Sequence, residues 1–134
     1  MTSSPLKVVS TNKAPGAIGP YSQAIIANGF VFASGQIPVI PETGEIVSED
    51  VREQTRQSMK NLQNILEAAN SSLELLVKTT VFIKDMNDFA AINQVYAELL
   101  GANRPARACV EVARLPKDVK VEIDGVAIVA ESKI

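Results

Sequence analysis

The stretch "RPARACVEVARLPKDVKVEI", residues 104–123, decides how the sheet is read. Ala106, Ala108, Val110 and Val112 fall on one side of an extended chain, and Arg107, Cys109 and Glu111 on the other. Small and β-branched residues in this alternation predict a strand over 106–112. "ARLPKD" (113–118) reads as the connection to a last strand over 119–129, and the two strands predict a hairpin. Charge suggests its register. Pairing Glu111 with Lys120 sets opposite charges across from one another, which places Cys109 opposite Glu122 and Arg107 opposite Asp124. An arginine, a thiol and two carboxylates would then line one patch of sheet. That patch is either a solvated outer face or a pocket wall that holds an anion.

Upstream, a short strand near Lys7–Ser10 precedes "KAPGAIGP" (13–20), a loop punctuated by Gly and Pro. "YSQAIIANGFVFASGQIPVI" (21–40) reads as two or three strands, with Asn28-Gly29 a hairpin turn between Ile25-Ile26 and Phe30-Val31-Phe32. Pro38 predicts that the sheet ends or bends there. After the turn "PETGE" (41–45), Ser48-Glu49-Asp50 marks a helix start. Val51, Thr55, Met59, Leu62, Ile65, Leu66 and Ala69 recur at steps of three and four, the pattern of a long amphipathic helix that stops at Asn70. "LVKTTVFI" (76–83) predicts a strand. Asn87 is the expected cap of a second helix, with Phe89, Ile92, Tyr96 and Leu99 inward and Gly101 at its end.

The order β-β-β-α-β-α-β-β predicts an α+β fold, a mixed β-sheet with two helices packed on one face. The other sheet face keeps apolar side chains, and a homo-oligomer is its simplest cover. A chain of 134 residues predicts a single domain over 1–134. At 46% hydrophobic and 21% charged residues it is not composed like a disordered chain. A net charge of −2 argues against a nucleic-acid binder that works through a general basic surface. One cysteine allows no internal disulfide, which fits a reducing compartment. The absence of histidine removes Ser-His-Asp and Cys-His catalysis and histidine metal sites, so no metal is expected. No stretch has the roughly 18 apolar residues of a membrane helix, and the start has neither an apolar signal core nor an arginine-rich amphipathic face. The expected location is cytoplasmic, with a mitochondrial one left open.

Each candidate residue has two readings. Arg107 either pairs with Asp124 or grips an anion, and Cys109 is either a small buried hydrophobe or a pocket residue. Glu122 is a surface carboxylate or an acid–base group. Tyr21 in "GPYSQ" and Ser34 in "ASGQ" either shape turns or position a ligand, with Gly35 allowing close backbone approach.

"APGAIGPYSQA" (14–24), "SGQIPV" (34–39), "VKTTVFIKDMNDFAAIN" (77–93) and "PARACVEVARLPKDVKVEI" (105–123) together resemble the reactive-intermediate imine deaminase family, called RidA, YjgF or L-PSP. The likeness covers nearly the whole chain in order; the helix entry "IVSEDV" (46–51) carries little of it. The resemblance implies a chorismate-mutase-like fold, a homotrimer and one cleft at each subunit interface. It implies hydrolysis of enamines and imines released by pyridoxal-phosphate enzymes, such as 2-aminoacrylate and 2-iminobutanoate, to 2-oxo acids and ammonia, without a cofactor. On matching positions, Arg107 would bind the substrate carboxylate. Ser34, Gly35, Asn93 and Cys109 would line the cleft, Glu122 would handle the attacking water, and Tyr21 would position substrate or relay protons. Other relatives are credited with a ribonuclease or translation-inhibiting role, and a non-catalytic 2-oxo-acid-binding protein would use the same cleft. The family often reads "EIEAIA" where this chain has "EIDGVA" (122–127), which bears on substrate range.

Overall fold

Asn28 and Gly29 both take positive φ, 51° and 81°, the left-handed pair that a tight hairpin turn requires. They join β2 (Ala24–Ala27) to β3 (Phe30–Gln36), and β1 (Lys7–Val9) pairs antiparallel with β2. These elements come from a computed structural model, which describes residues 5–130. The remaining elements are α1 (Val51–Ala68), β4 (Leu76–Ile83), α2 (Phe89–Leu100), β5 (Ala106–Glu111) and β6 (Val121–Ile128). The strands form one six-stranded mixed sheet in the order β1-β2-β3-β6-β4-β5.

α1 begins where the sequence marks it. Asp50 accepts hydrogen bonds from the backbone N–H groups of Arg52 and Glu53, two of the donors a helix start leaves unpaired. Met59, Leu62, Ile65 and Leu66 have no exposed surface, and burying each contributes about 1.5–3 kcal/mol relative to exposure. They press on Val31, Val81, Val121, Ile123 and Ala127 in the same core. The helix ends as Asn70 turns left-handed with φ 60°. The polar residues of this face do different work. Asn61 Nδ2 donates to the carbonyls of Ile37 and Val39 (3.1 and 2.9 Å). Gln54 donates to the Ser48 carbonyl and accepts from the Lys120 N–H, each at 2.8 Å. Two loops beside β6 are thereby tied to the helix.

The predicted hairpin of the last two strands does not form. β4 lies between them, parallel to β5 and antiparallel to β6. Residues 112–120 are too long a connection for a tight turn, and parallel neighbours need a crossover, which α2 supplies between β4 and β5. The charges that suggested the register are used elsewhere. Glu111 accepts from the Met86 N–H at 2.7 Å, the Lys120 ammonium donates to the Glu49 carbonyl, and Asp124 accepts from the Thr80 N–H at 2.8 Å. Arg107 therefore stands beside Thr79, not Asp124.

α2 also starts differently from the expectation. Asn87 lies in a single tight turn, Met86–Asp88, whose first N–H groups are served by Asp85; the helix proper begins at Phe89. Ile92 and Tyr96 are buried as expected, together with Val95 and Leu100, whereas Phe89 remains exposed. Gly125 has a packing reason. A Cβ there would stand 2.7 Å from Leu76 Cδ2, so the glycine gives Leu76 room against the sheet.

Both helices sit on the face that carries Thr79, Val81, Ile83, Val121 and Ile123, which are buried. The opposite face exposes Val8, Phe30, Phe32, Val110 and Ile128. Among the described residues no helix is long and apolar enough to cross a membrane.

Candidate functional site

Arg107 projects from β5 at the sheet edge, on the helix side, because its strand partner Thr79 is buried there. Its Nη1 donates to Asn93 Oδ1 at 2.6 Å. The guanidinium carbon lies 5.5 Å from the centre of the Phe89 ring and 5.1 Å from that of Tyr96, within cation–π range of both. Tyr96 is held in turn by a 2.6 Å hydrogen bond with Thr79. Phe89, Asn93 and Tyr96 come from one face of α2, spaced at i, i+4 and i+7. Among the described residues no carboxylate lies within ion-pair distance of Arg107; the two ion pairs present are Arg56–Glu98 and Arg114–Asp118. A half-buried cation held in place only by neutral groups is suited to an anionic ligand. It faces a hollow of about 320 Å³ shared with Asn93, Tyr96 and Pro105.

Glu122 stands on the other face. Its strand partner is Phe82, one position out of phase with Val81 and Ile123. It lines a cavity of about 440 Å³ with Tyr21, Ser34, Gly35, Ile18 and Pro116. A Cβ at position 35 would overlap the Glu122 carboxylate, so only glycine lets that carboxyl lie flat on β3. Burial, with Asp124's charge as the lesser cause, pushes the Glu122 carboxyl above the usual carboxylate range. Ser34 Oγ donates to the Ser22 carbonyl at 2.7 Å, which fixes the strand against the "GPYS" loop. Tyr21 is turned by a 2.8 Å bond from its own N–H to the Gly19 carbonyl and leaves its ring exposed at the cavity.

The residues expected on one patch are thus divided. Arg107, Cys109 and Asn93 belong to the helix side of the sheet edge; Tyr21, Ser34, Gly35 and Glu122 belong to the open side. This corrects the single Arg-Cys-Glu wall. The two hollows share no residue within one chain.

The profile described as Endoribonuclease L-PSP matches residues 11–129. The chain belongs to this family, also called RidA or YjgF. A RutC family protein of Pyrococcus horikoshii is 57% identical over 121 residues, covering 90% of this chain and 96% of that protein. The 2-iminobutanoate/2-iminopropanoate deaminase of Salmonella typhimurium is 53% identical over 125 residues, covering 91% of this chain and 97% of its own length. The crystal structure of E. coli TdcF with bound serine superposes with a TM-score of 0.87 at 51% identity, covering 92% of this chain and 99% of the other. This family member shares with the solved L-PSP structures its mixed sheet and two helices.

Phe89, Tyr96 and Thr79 are the positioning residues that the sequence reading missed. For Phe89 and Tyr96 the signal is the i, i+4, i+7 spacing with Asn93, which hydrophobicity alone assigns to the core; Thr79, on β4, is found only through its strand pairing with Arg107. Cys109 sits half-buried at the edge of the core beside Val81. Burial raises its thiol, with Arg107 opposing, so the neutral form is favoured. Cys109→Ser is accordingly expected to cost less than about tenfold in any imine hydrolysis, or ~1.4 kcal/mol of barrier. A loss of several orders of magnitude in the folded variant, measured by ammonia release, would instead make the sulfur a nucleophile. A more open hollow of about 760 Å³ lies at the C-terminal ends of α1 and α2. Glu67, Glu74 and Glu98 line it, which disfavours an anionic substrate there.

Proposed function

We propose that this chain is a single-domain RidA-type deaminase that hydrolyses imine and enamine forms of 2-amino acids to 2-oxo acids and ammonia. The observation that carries the reading is Arg107, a half-buried guanidinium clamped by Asn93 and two aromatic rings with no carboxylate partner among the described residues. Its planar fork matches a carboxylate with two charge-assisted bonds. The names of the relatives agree with it, and the serine held by TdcF carries the same α-carboxylate as a 2-imino acid.

A complete site needs a second copy. Within one chain Arg107 and Glu122 occupy opposite faces, so a substrate gripped by both would lie between subunits. The open face with Phe30, Phe32, Val110 and Ile128 supplies apolar area for such an assembly. A chorismate-mutase-like homotrimer with a cleft at each interface satisfies both demands. Each cleft would receive Arg107, Asn93 and Cys109 from one subunit, and Tyr21, Ser34, Gly35 and Glu122 from its neighbour.

The chemistry needs no nucleophilic side chain. A protonated imine is electrophilic at C2, and water adds there while Glu122 takes its proton. The proton passes to nitrogen, the C–N bond breaks, and the hydroxyl becomes the carbonyl. The balance is iminium plus water to 2-oxo acid plus ammonium. An enamine such as 2-aminoacrylate enters after protonation at C3, and Tyr21 is placed to hold the substrate or relay a proton. No cofactor enters this scheme. The ribonuclease reading is less favoured, because a chain without histidine and with a net charge of −2 has little with which to grip and cleave RNA.

Freshly generated 2-aminoacrylate tests the reading. Ammonia release should exceed the uncatalysed rate, and sedimentation should give a trimer. A stable monomer near 14.3 kDa at micromolar concentration would count against the shared cleft. Binding of 2-oxo acids with no acceleration would leave a binding protein in place of an enzyme.

A further inference from the structure

Arg104 is the other arginine of "RPAR" (104–107), and it lies just outside the stretch 105–123 that carries the family resemblance. The hollow of about 320 Å³ that Arg107 faces has Arg104 on its wall as well. No acidic residue lines it. Among the described residues neither arginine has a carboxylate within ion-pair distance, and Glu98, in the last turn of α2, is taken by Arg56 at 3.1 Å.

Arg104 is also held in place. Its Nη1 donates to the carbonyls of Gly101 and Asn103 at 2.8 and 2.7 Å, beside the C-terminal end of α2, where a cation is favoured. Both Nη1 protons are used in this way. The Nε and Nη2 edge is left, and that edge can grip a carboxylate with two parallel bonds. The backbone beneath it is braced. Asn103 Nδ2 donates to the carbonyls of Leu73, Glu74 and Leu76 at 3.0, 3.1 and 3.1 Å, and Pro105 restricts the chain between the two arginines. Two anchored guanidiniums thus border one hollow with no acid of the chain to neutralise them.

We propose that Arg104 is a specificity-determining residue that fits this chain to dicarboxylic 2-imino acids, with the α-carboxylate on Arg107 and the distal carboxylate on Arg104. The proposal rests on the deaminase reading for the role of Arg107. Residues three apart lie no more than ~11 Å from each other even along an extended chain. A five-carbon diacid keeps its carboxyl carbons roughly 5 Å apart, and ion pairs of up to about 4 Å at each end let it bridge that interval. An uncharged side chain of the same length finds no partner at Arg104 and leaves its free edge to water.

Stable 2-oxo acids test this without relying on turnover. In calorimetric titrations of the assembled wild-type protein at fixed ionic strength, 2-oxoglutarate should bind about fivefold more tightly than 2-oxopentanoate, which has the same carbon chain without the second carboxylate. Arg104→Gln should bring 2-oxoglutarate down to the level of 2-oxopentanoate. Arg104→Lys keeps the charge without the fork and should hold part of the preference. Equal wild-type affinities, or weaker binding of 2-oxoglutarate, would overturn the proposal whatever the variants do. A preference for 2-oxoglutarate that survives in the folded Arg104→Gln protein would overturn it too, by giving the second carboxylate to another cation. Absence of ammonia release from 2-aminoacrylate would sink the deaminase reading separately, since the affinities would still be read.

Discussion

Arg107→Ala is expected to lower kcat/KM for imine hydrolysis by at least ~10²-fold. A hydrogen bond to a charged group contributes about 1.5–3 kcal/mol, and the guanidinium fork offers two to a carboxylate. Loss of orientation at the reacting carbon adds to that. Arg107→Lys keeps the charge but neither the fork nor the fit over the rings of Phe89 and Tyr96, so it should restore only part of the activity. A purely structural Arg107 makes a different prediction. It would tie β5 to α2 through Asn93, and its removal would lower the melting temperature with little specific effect on turnover. Melting, assembly, pyruvate affinity and ammonia release measured on one preparation separate the two. An intact assembly with unchanged pyruvate affinity and unchanged hydrolysis would remove Arg107 from the site.

The features legible in the sequence were those decided by neighbours along the chain. The Asn28-Gly29 turn, a helix start marked by Ser48-Glu49-Asp50 and the apolar stripe of α1 each depend on a few consecutive residues; the turn and the stripe stand where the pattern puts them, and the helix begins just after the marked residues, with Asp50 as its cap. The partner of β5 was not legible in that way. Glu111 and Lys120 can answer each other across a hairpin, but they can equally bind backbone groups of Met86 and Glu49, and the insertion of β4 is a non-local event. The alternation of a strand says which of its residues share a face. It does not say whether two strands present their polar faces on the same side, and so Arg107 and Glu122 were joined wrongly. The identities of the site residues came from the family resemblance, while what surrounds them required the fold. Nothing local in "SGQ" reveals that Gly35 lies under the Glu122 carboxylate.

Glu122→Gln keeps the shape of the side chain and removes its ability to take a proton. Its turnover should fall by roughly 10² to 10⁴, the range of general acid–base catalysis, while pyruvate affinity changes much less. The pH dependence sharpens this. Burial and the Asp124 charge raise the folded-state value of Glu122, so the wild-type acid limb should lie above the ordinary carboxylate range, and the Gln variant should lack it. Stability follows the opposite sense. An acid whose folded value is raised holds its proton more tightly in the folded than in the unfolded chain, so its contribution is lost as pH climbs from the ordinary carboxylate range through the raised value. Gln cannot ionise and carries no such loss. Relative to wild type, Glu122→Gln should therefore melt higher at neutral pH than it does at acid pH, even as it loses activity. Loss of activity alone would be explained by a disturbed cleft. Activity lost together with the acid limb, and stability gained over the pH range where wild type loses it, requires a half-buried carboxyl that titrates at the site. Near-normal turnover in the folded variant would move the proton-handling role from Glu122 to Tyr21 or to the substrate itself.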